Sequence, residues 1–331
     1  TSGDENNLSA EIHQGLLNLG INGLLVPEEF GGLGLDLLFA AVVSEAIGGG
    51  ICPTPFIAPY VMAPTAIKHA GSKSQQENYL SKIASNECRF GVGFSEFIGK
   101  RNDAGITFSD NVLNGRAMFV LDANDATHLL LADEKGQIFV VDAKSANIEI
   151  VKLTTVDKTR QYSEVICKNL EAELLENSSD SINPINQAID SGRIMLAADS
   201  LGASQTMIDK AVDYAKERKQ CGRVIGSFQA VKHMCAEMAA DLEPCYALVW
   251  HAAHCHDHSP KEARLMACHA KAHVSEMSKG IAKKAIEVHG GMGFTDLLGL
   301  HYWFKRIGVN RQILGSPELI REEVMKYQLE E

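Results

Sequence analysis

The amino-acid sequence predicts an α+β fold in which a β-rich middle region separates two helical regions. Apolar residues recur at helical spacing in the first part of the chain, alternate as in strands through the middle third, and return to helical spacing from Ile185. The polar segment "ELLENSSDSINP" before Ile185 is typical of a linker. We therefore predict an N-terminal helical domain at 1–88, a β domain at 89–172, a linker at 173–184 and a C-terminal helical domain at 185–331.

The N-terminal region is predicted to contain four helices. The first, in "LSAEIHQGLLNLG", takes Ser9 as its N-cap and ends at Gly20. The second, "LDLLFAAVVSEAIGGG", ends at its glycines, and "APTAIKHAG" and "KSQQENYLSKIAS" supply the third and fourth. The glycine-rich stretch "VPEEFGGLGLD" between the first two helices is predicted to be a loop.

Two dipeptides predict hairpins in the middle region. Asn114-Gly115 lies between two alternating apolar runs, and both residue types tolerate a positive φ. A second hairpin is predicted around Lys135-Gly136. After the linker, "IGSFQAVKHMCAEMAADLEPCYALVWHAAH" and "PKEARLMACHAKAHVSEMSKGIAKKAIEVHGG" have the period of long helices.

Length and charge narrow the class of protein. A chain of 331 residues can bury a large core and should divide into two or three domains. The net charge of −11 argues against a general nucleic-acid or anionic-membrane binder, and the longest apolar runs are too short to span a bilayer. Eight scattered cysteines and no apolar signal region predict reduced thiols in a cytoplasmic protein.

Two kinds of motif have ordinary structural explanations. A phosphate loop follows a strand and opens a helix, and neither glycine run, "FGGLGLD" or "HGGMGF", has that context. Both runs are more typical of helix ends. In "HAAHCHDHSPKEARLMACHAKAH", His251 and Cys255 are four residues apart and could share a helix face. The run lacks the ligand spacing of known zinc sites, so we predict no metal site.

The segment "ERKQCGRVIGSFQAVKH" combines a basic helix end with a second helix start. Arg218 could donate two hydrogen bonds to a pyrophosphate, and Gln229 could add a neutral one. A basic helix end favoured by the helix dipole explains the segment equally well.

Four motifs in order give the chain a resemblance to the acyl-CoA dehydrogenases. They are "GLLVPEEFGGLGLD", "LNGRAMFVLDA", "ERKQCGRVIGSFQAVKH", similar to the family's R-x-F-G-x-x-I-x-x-F-Q, and "EVHGGMGFT", similar to its Q-x-x-G-G-x-G-F. The resemblance implies an N-terminal helical bundle, a middle β-barrel and a C-terminal four-helix bundle. It also implies FAD at a subunit interface, oligomers of two or four chains and an electron-transferring flavoprotein as redox partner.

The resemblance also implies roles for individual residues. It assigns Phe119 to the aromatic position beside the flavin and Ser316 to the hydroxyl position of the late turn "RQILGSPEL". The contacts to the adenosine-diphosphate part of a neighbouring subunit's FAD are implied to be Arg218, Gln229, Gly290 and Gly291. Three positions depart from the family pattern: Cys221 replaces Phe, Glu287 replaces Gln, and Leu121 replaces a Thr or Ser near flavin N5.

Asp190 and Arg193, in "AIDSGR", match the family's F-D-x-x-R, whose Asp and Arg contact the pantetheine arm of CoA. A capped helix start would also explain Asp190.

The family's catalytic base is missing from both of its usual positions. One position holds Leu314 and the other Gly192, and neither side chain can accept a proton. Glu318, Glu322, His301 and Asp296 are possible substitutes, each poorly supported by its place in the sequence.

The chain is most similar to the smaller, β-type subunits of heteromeric bacterial acyl-CoA dehydrogenases of steroid side-chain degradation. "CGRVIGSFQAVKH" and "GFTDLLGLHYWFKR" carry that similarity. We therefore predict an FAD-dependent subunit that lacks its own catalytic Glu and acts with a catalytic partner on a bulky acyl-CoA. Two alternatives stay open: a homomeric flavoenzyme with a non-standard base or different chemistry on a CoA thioester, and a non-catalytic structural homologue.

Overall fold

A computed structural model describes residues 2–99, 101–179, 181 and 183–330. The N-terminal region is helical, and its second, third and fourth helices follow the predicted order. A π-helical turn at Ala58–Met62 leads directly into the third helix. The helices are α1 (Ser2–Asn18), α2 (Leu37–Gly49), α3 (Ala63–Ala70) and α4 (Lys73–Ala84).

The start of α1 differs from the prediction. The helix begins at Ser2, so Ser9 is an interior residue rather than the N-cap. Its hydroxyl donates instead to the carbonyl of Pro53 at 2.7 Å, a long-range contact that sequence spacing could not reveal. Gly20 follows the helix with φ 82°, as expected for a helix end. The helix α4 has a complete capping box between Ser72 and Gln75.

The middle region forms one eight-stranded sheet, and a short helix, α5 (Ser95–Ile98), follows its first strand. Among the described residues, the two end strands of the sheet do not pair with each other. The strands are β1 (Phe90–Gly93), β2 (Gly105–Ser109), β3 (Val112–Leu121), β4 (His128–Ala132), β5 (Ile138–Asp142), β6 (Ile148–Lys152), β7 (Tyr162–Glu171) and β8 (Glu173–Leu174). Their order is β6-β7-β3-β1-β4-β5-β8, with β2 paired to β3.

The first predicted hairpin exists, but its turn is misplaced in the prediction. Asp110 and Asn111 form the turn between β2 and β3, with φ 52° and 63°. Gly115 lies inside β3 with φ 112°, where a Cβ would lie 2.1 Å from the carbonyl oxygen of Gly105. The glycine therefore permits close strand approach at a bulge instead of making the turn. The second hairpin, β4–β5, is confirmed around Gly136.

The segment predicted as a linker carries regular structure. It contains β8, which pairs with β5, and a 3₁₀ turn at Glu176–Ser179. The first residues of the next helix also fall within it, because that helix begins at Asn183. Residues 180 and 182 lie outside the described part.

The C-terminal region consists of helices, three of them long. α6 (Asn183–Glu217) is the most buried, and α7 (Gln229–His258) and α8 (Pro260–His289) pack against it. A two-stranded ribbon, β9 (Lys219–Gln220) and β10 (Arg223–Val224), separates α6 from α7. Two shorter helices, α9 (Leu300–Gln312) and α10 (Pro317–Glu330), pack on α8.

A buried charge network joins the sheet to the C-terminal helices. Asp199 on α6 accepts hydrogen bonds from Arg306 at 2.7 Å and from Arg160, which precedes β7, at 2.6 Å. Burial opposes ionisation of Asp199, but the two guanidinium groups outweigh it and lower the pKa of the carboxyl group. The network therefore fixes the sheet relative to α6 and α9.

No helix among the described residues has the length and apolar character needed to cross a bilayer. All eight cysteines are unpaired.

Candidate functional site

The turn between α9 and α10 forms one wall of a cavity of about 210 Å³. Leu314 has φ 58° and a 2% exposed side chain, and Gly315 has φ 107°. The cavity brings together three residues singled out from the sequence: Phe119, Leu314 and Ser316. Its lining consists of Ser95, Ile98, Gly99, Arg101, Phe119, Gln312, Ile313, Leu314, Gly315, Ser316 and Leu319.

Phe119 reaches the cavity because β3 is irregular there. A register shift between Ala117 and Val120 gives Phe119 a φ of 53°, unusual for an aromatic residue. The guanidinium carbon of Arg101 lies 4.8 Å from the centre of the Phe119 ring, and Arg101 is also paired with Glu96. The bulge thus presents an aromatic ring that carries a guanidinium group over one face.

Ser316 begins α10 as its N-cap. The backbone N–H of Leu319 points to the Ser316 hydroxyl oxygen at 3.4 Å, and Pro317 occupies the first helical position. The cavity therefore meets a hydroxyl group at the positive end of a helix.

The two base positions of the family converge in this structure. A Cβ added to Gly192 on α6 would lie 2.6 Å from Cδ1 of Leu314. The Leu314 side chain therefore fills the space that a carboxylate from either position would enter. Among the described residues, none that lines the cavity is Asp, Glu or His.

The four possible substitutes point elsewhere. Glu318 pairs with Arg311, and its own backbone N–H, the Ser316 hydroxyl and Arg311 lower its pKa to about 2. Glu322 is exposed and lines a different cavity. Asp296 is 99% exposed and lies 3.6 Å from His301, at the opposite end of α9 from Leu314.

Two buried basic side chains hold the turn. Arg193 is fully buried, and its Nε donates to the carbonyl oxygen of Leu314 at 2.9 Å. Lys271 on α8 is also fully buried and donates to the carbonyl oxygens of Asn310 at 2.8 Å and Gly315 at 3.3 Å. Burial, with Arg193 and Arg311 nearby, lowers the pKa of Lys271 well below its ordinary value.

A second cavity, of about 370 Å³, adjoins the first through the shared residues Ile98 and Leu319. One wall carries a charge cluster in which Glu323 accepts from Arg193 at 2.8 Å and also pairs with Arg264. Asp190 pairs with Arg264 at 2.5 Å, and burial raises the pKa of Asp190 to about 6 against the effect of the two arginines.

The predicted substrate residues, Asp190 and Arg193, lie inside this charge cluster and do not line the cavity. Asp190 and Arg193 are both almost completely buried and already paired within the chain. Arg264, which lines the second cavity, lies between Asp190 and the open space. Sequence reasoning missed Arg264 and Lys271. The one available signal was that a buried Asp190 needs a counter-charge, which hints at Arg264 but not at Lys271.

The remaining predicted residues form a separate group at the other end of the C-terminal region. Arg218 and Gln229 are exposed, as are Gly290 and Gly291, around which a Cβ would meet nothing within 4 Å. The rings of Tyr214 and His289, tilted by 32° with their centres 4.6 Å apart, bring the ends of α6 and α8 together here. Exposed apolar residues, Phe294 and Leu297, flank this group.

The two groups are separated by the length of α9. This helix has 13 residues, which at the usual rise is about 20 Å. The cavity therefore lies at one end of α9, and the Arg218 group lies at the other end.

The residues of the two groups fit the two parts of FAD, the ring at the cavity and the diphosphate at the Arg218 group. A planar ring could stack beside Phe119 and meet the Ser316 hydroxyl, while Arg218 and the open glycine backbone offer donors to an anionic group from outside the chain. Leu121 is buried and offers no donor, and Glu287 and Cys221 are exposed at the opposite end. The cavity can hold and shield a ring, but its lining cannot accept a proton.

Comparisons with known proteins agree with this architecture. The family model "Acyl-CoA dehydrogenase, N-terminal domain" matches residues 2–87, and "Acyl-CoA dehydrogenase, C-terminal domain" matches residues 182–329. Members of this family bind FAD and are oxidoreductases that act on CH–CH bonds.

Two curated relatives match most of the chain. The caffeyl-CoA reductase–Etf complex subunit CarC of Acetobacterium woodii is 30% identical over 88% of this chain and 83% of its own length. The acyl-CoA dehydrogenase IpdE2 of Mycobacterium tuberculosis is 29% identical over 92% of this chain and 82% of its own length.

Solved structures share the fold. The steroid ACAD Tcur3481-Tcur3483 has a TM-score of 0.84 and 25% identity, covering 95% of this chain and 87% of that one. Butyryl-CoA dehydrogenase from Megasphaera elsdenii has a TM-score of 0.84 and 21% identity, covering 96% and 90%. With its N- and C-terminal regions matched and its fold shared, the chain belongs to the acyl-CoA dehydrogenase family.

Proposed function

We propose that the chain is a base-deficient subunit of a heteromeric acyl-CoA dehydrogenase, which carries out FAD-dependent α,β-dehydrogenation of an acyl-CoA thioester with a catalytic partner chain. The observation that carries this proposal is the contact between Gly192 and Leu314. The two positions that could hold the base meet, and an apolar side chain fills the space between them. A chain with this cavity needs a carboxylate from elsewhere to remove the α-proton.

FAD, when bound, supplies the acceptor for the hydride that leaves the β-carbon. Phe119 would pack beside the ring, and Ser316 would offer it a hydroxyl hydrogen bond at the start of α10. Leu314 would keep water from the ring. Arg218, Gln229, Gly290 and Gly291 would contact the adenosine-diphosphate part of an FAD held mainly by the partner chain.

The substrate would lie along the two adjoining cavities. Asp190 and Arg193 would act on the pantetheine arm through Arg264, which reaches the second cavity while they stay buried. A bulky acyl group, such as a steroid side chain, is supported by the similarity to the steroid ACAD. An electron-transferring flavoprotein as redox partner is supported by CarC, which is named as part of an Etf complex.

Co-expression tests the proposal. The chain is purified alone and together with a second member of the family that keeps its Glu. FAD content, flavin bleaching by acyl-CoA and reoxidation by 2-enoyl-CoA are then measured. We expect turnover only from the pair. Bleaching of FAD by the lone chain would contradict the proposal and favour a homomeric enzyme. A pair whose activity and FAD content match those of the catalytic partner alone would favour a non-catalytic homologue.

A further inference from the structure

We propose that the turn between α7 and α8 is a Zn²⁺ site formed by His251, Cys255 and Glu262. One ligand atom from each residue lies within 4.8 Å of the other two. None of the three residues lines either cavity of the candidate active site. The site is therefore separate from the proposed dehydrogenation.

The backbone fixes the three side chains relative to one another. His251 and Cys255 are four residues apart on α7 and so lie on one face of the helix. A single residue, Ser259, joins α7 to α8. Its N–H donates to the carbonyl of Cys255 at 2.9 Å, and its own carbonyl accepts from the N–H of Glu262 at 2.9 Å. The tight connection places the first turn of α8 beside the last turns of α7.

Two of the three distances between the ligand atoms are close to those of a tetrahedral zinc centre. Sγ of Cys255 lies 3.5 Å from Nε2 of His251 and 3.8 Å from Oε2 of Glu262. Zinc bonds of about 2.3 Å to sulfur and 2.0 Å to nitrogen, at a tetrahedral angle, separate the two ligand atoms by about 3.5 Å. The ligand atoms of His251 and Glu262 are the most widely separated pair, within 4.8 Å, and rotation of the exposed Glu262 side chain would bring them closer.

The donor set suits zinc rather than a hard cation. A thiolate, an imidazole and a carboxylate together carry two negative charges, and sulfur ligands disfavour Mg²⁺ and Ca²⁺. The fourth position is open to water or another donor.

This proposal departs from the sequence analysis, which predicted no metal in the His/Cys-rich stretch. The spacing of His251 and Cys255 alone supplies two ligands. The third comes from the following helix, and only the fold brings it to the pair.

A cobalt titration tests the site. Metal-free chain is titrated with Co²⁺ as the probe, and the absorption spectrum is recorded, followed by displacement with Zn²⁺ and competition with Mg²⁺. We expect one Co²⁺ per chain, a thiolate-to-cobalt charge-transfer band and the ligand-field bands of a tetrahedral centre. Zn²⁺ should remove these bands and Mg²⁺ should not.

Variants identify the ligands. Cys255→Ser should lose the charge-transfer band, while His251→Ala and Glu262→Gln should weaken Co²⁺ binding. Cys221→Ser, which changes an exposed thiol elsewhere, should keep the wild-type spectrum. The proposal is overturned by a wild-type chain without the band, or by a band that survives in Cys255→Ser. His251 and Glu262 are exposed, so unchanged binding in both of their variants overturns it even where Cys255→Ser does not fold.

Discussion

Arg193 and Lys271, from two different helices, donate hydrogen bonds to the consecutive backbone carbonyls of Leu314 and Gly315. Two buried basic side chains therefore help to hold the turn at the proposed flavin site. Its left-handed backbone at Leu314 is a conformation that a branched residue adopts only when the surroundings impose it.

Replacing Lys271 by Met should destabilise the chain by roughly 1–3 kcal/mol, because buried carbonyls would lose their donor without gaining water. Chemical denaturation followed by circular dichroism measures the change. Lys283→Met, at an exposed position of the same helix, is the matched control and should cost much less. Equal losses in the two variants would show that Lys271 has no special role.

Replacing Arg193 by Met should cost more, roughly 3–5 kcal/mol, because it leaves a partly buried Glu323 with one cation fewer. The double variant Arg193→Met/Glu323→Gln should recover part of that loss, and a double-mutant cycle measures the coupling. Strictly additive losses would contradict a coupled pair.

Replacing Leu314 by Glu should give the lone chain, loaded with FAD, the α-proton abstraction that it lacks. The new carboxylate would stand at one of the two converging base positions, and general-base catalysis is worth roughly 10²–10⁴-fold. The rate of flavin bleaching by acyl-CoA is the measurement. Leu314→Gln is nearly isosteric with the Glu variant and should stay inactive. A folded, FAD-bound Glu variant no faster than the Gln variant would argue against this placement of the base.

Replacing Gly115 by Ala should destabilise the chain more than replacing Gly222 by Ala. Both glycines have a positive φ, so both variants carry backbone strain of about 1 kcal/mol. Only at Gly115 would the new Cβ also collide with a backbone carbonyl, at 2.1 Å, whereas the space around Gly222 is open. Thermal unfolding of the two variants compares the costs, and similar midpoints would contradict the close approach at the bulge.

The pH dependence of stability should carry a contribution from Asp190. Its folded pKa, about 6, lies above the ordinary value of 3.8, so the folded state binds more protons between these two pH values. The free energy of unfolding contributed by this group therefore falls as the pH rises from 4 to 6, by roughly 3 kcal/mol in total. Asp190→Asn cannot titrate, so the free energy of unfolding of the wild type minus that of the variant should fall over that range. A difference independent of pH would mean that Asp190 is ionised throughout.

The sequence was sufficient where the signal was local. Alternating and helical periods located the β-rich middle region and the helices on either side of it, and the late turn brought Leu314 and Ser316 to notice. The sequence was insufficient where the role of a residue depends on backbone that is distant along the chain. Asn114-Gly115 has the composition of a hairpin turn, yet the close carbonyl of Gly105 explains the glycine, and Asp110-Asn111 makes the turn.

The charged residues of the site were the hardest to predict. Arg264 and Lys271 are separated from their partners, Asp190 and Gly315, by 74 and 44 positions in the chain. No period or motif connects residues so far apart, and only the packing of α6, α8 and α10 makes them neighbours. The same reason hid the contribution of Glu262 to the His251–Cys255 pair.

The length of α9 has a further consequence for how the cofactor would be retained. The cavity and the Arg218 group are about 20 Å apart on one chain, and under the proposed function an FAD that contacts both kinds of residue would be shared between two chains. The apparent affinity for FAD would then depend on the concentration of the protein, because the complete binding site forms only when the chains associate. Dilution of the purified protein should release flavin and separate the chains over the same concentration range, so flavin fluorescence would report subunit association.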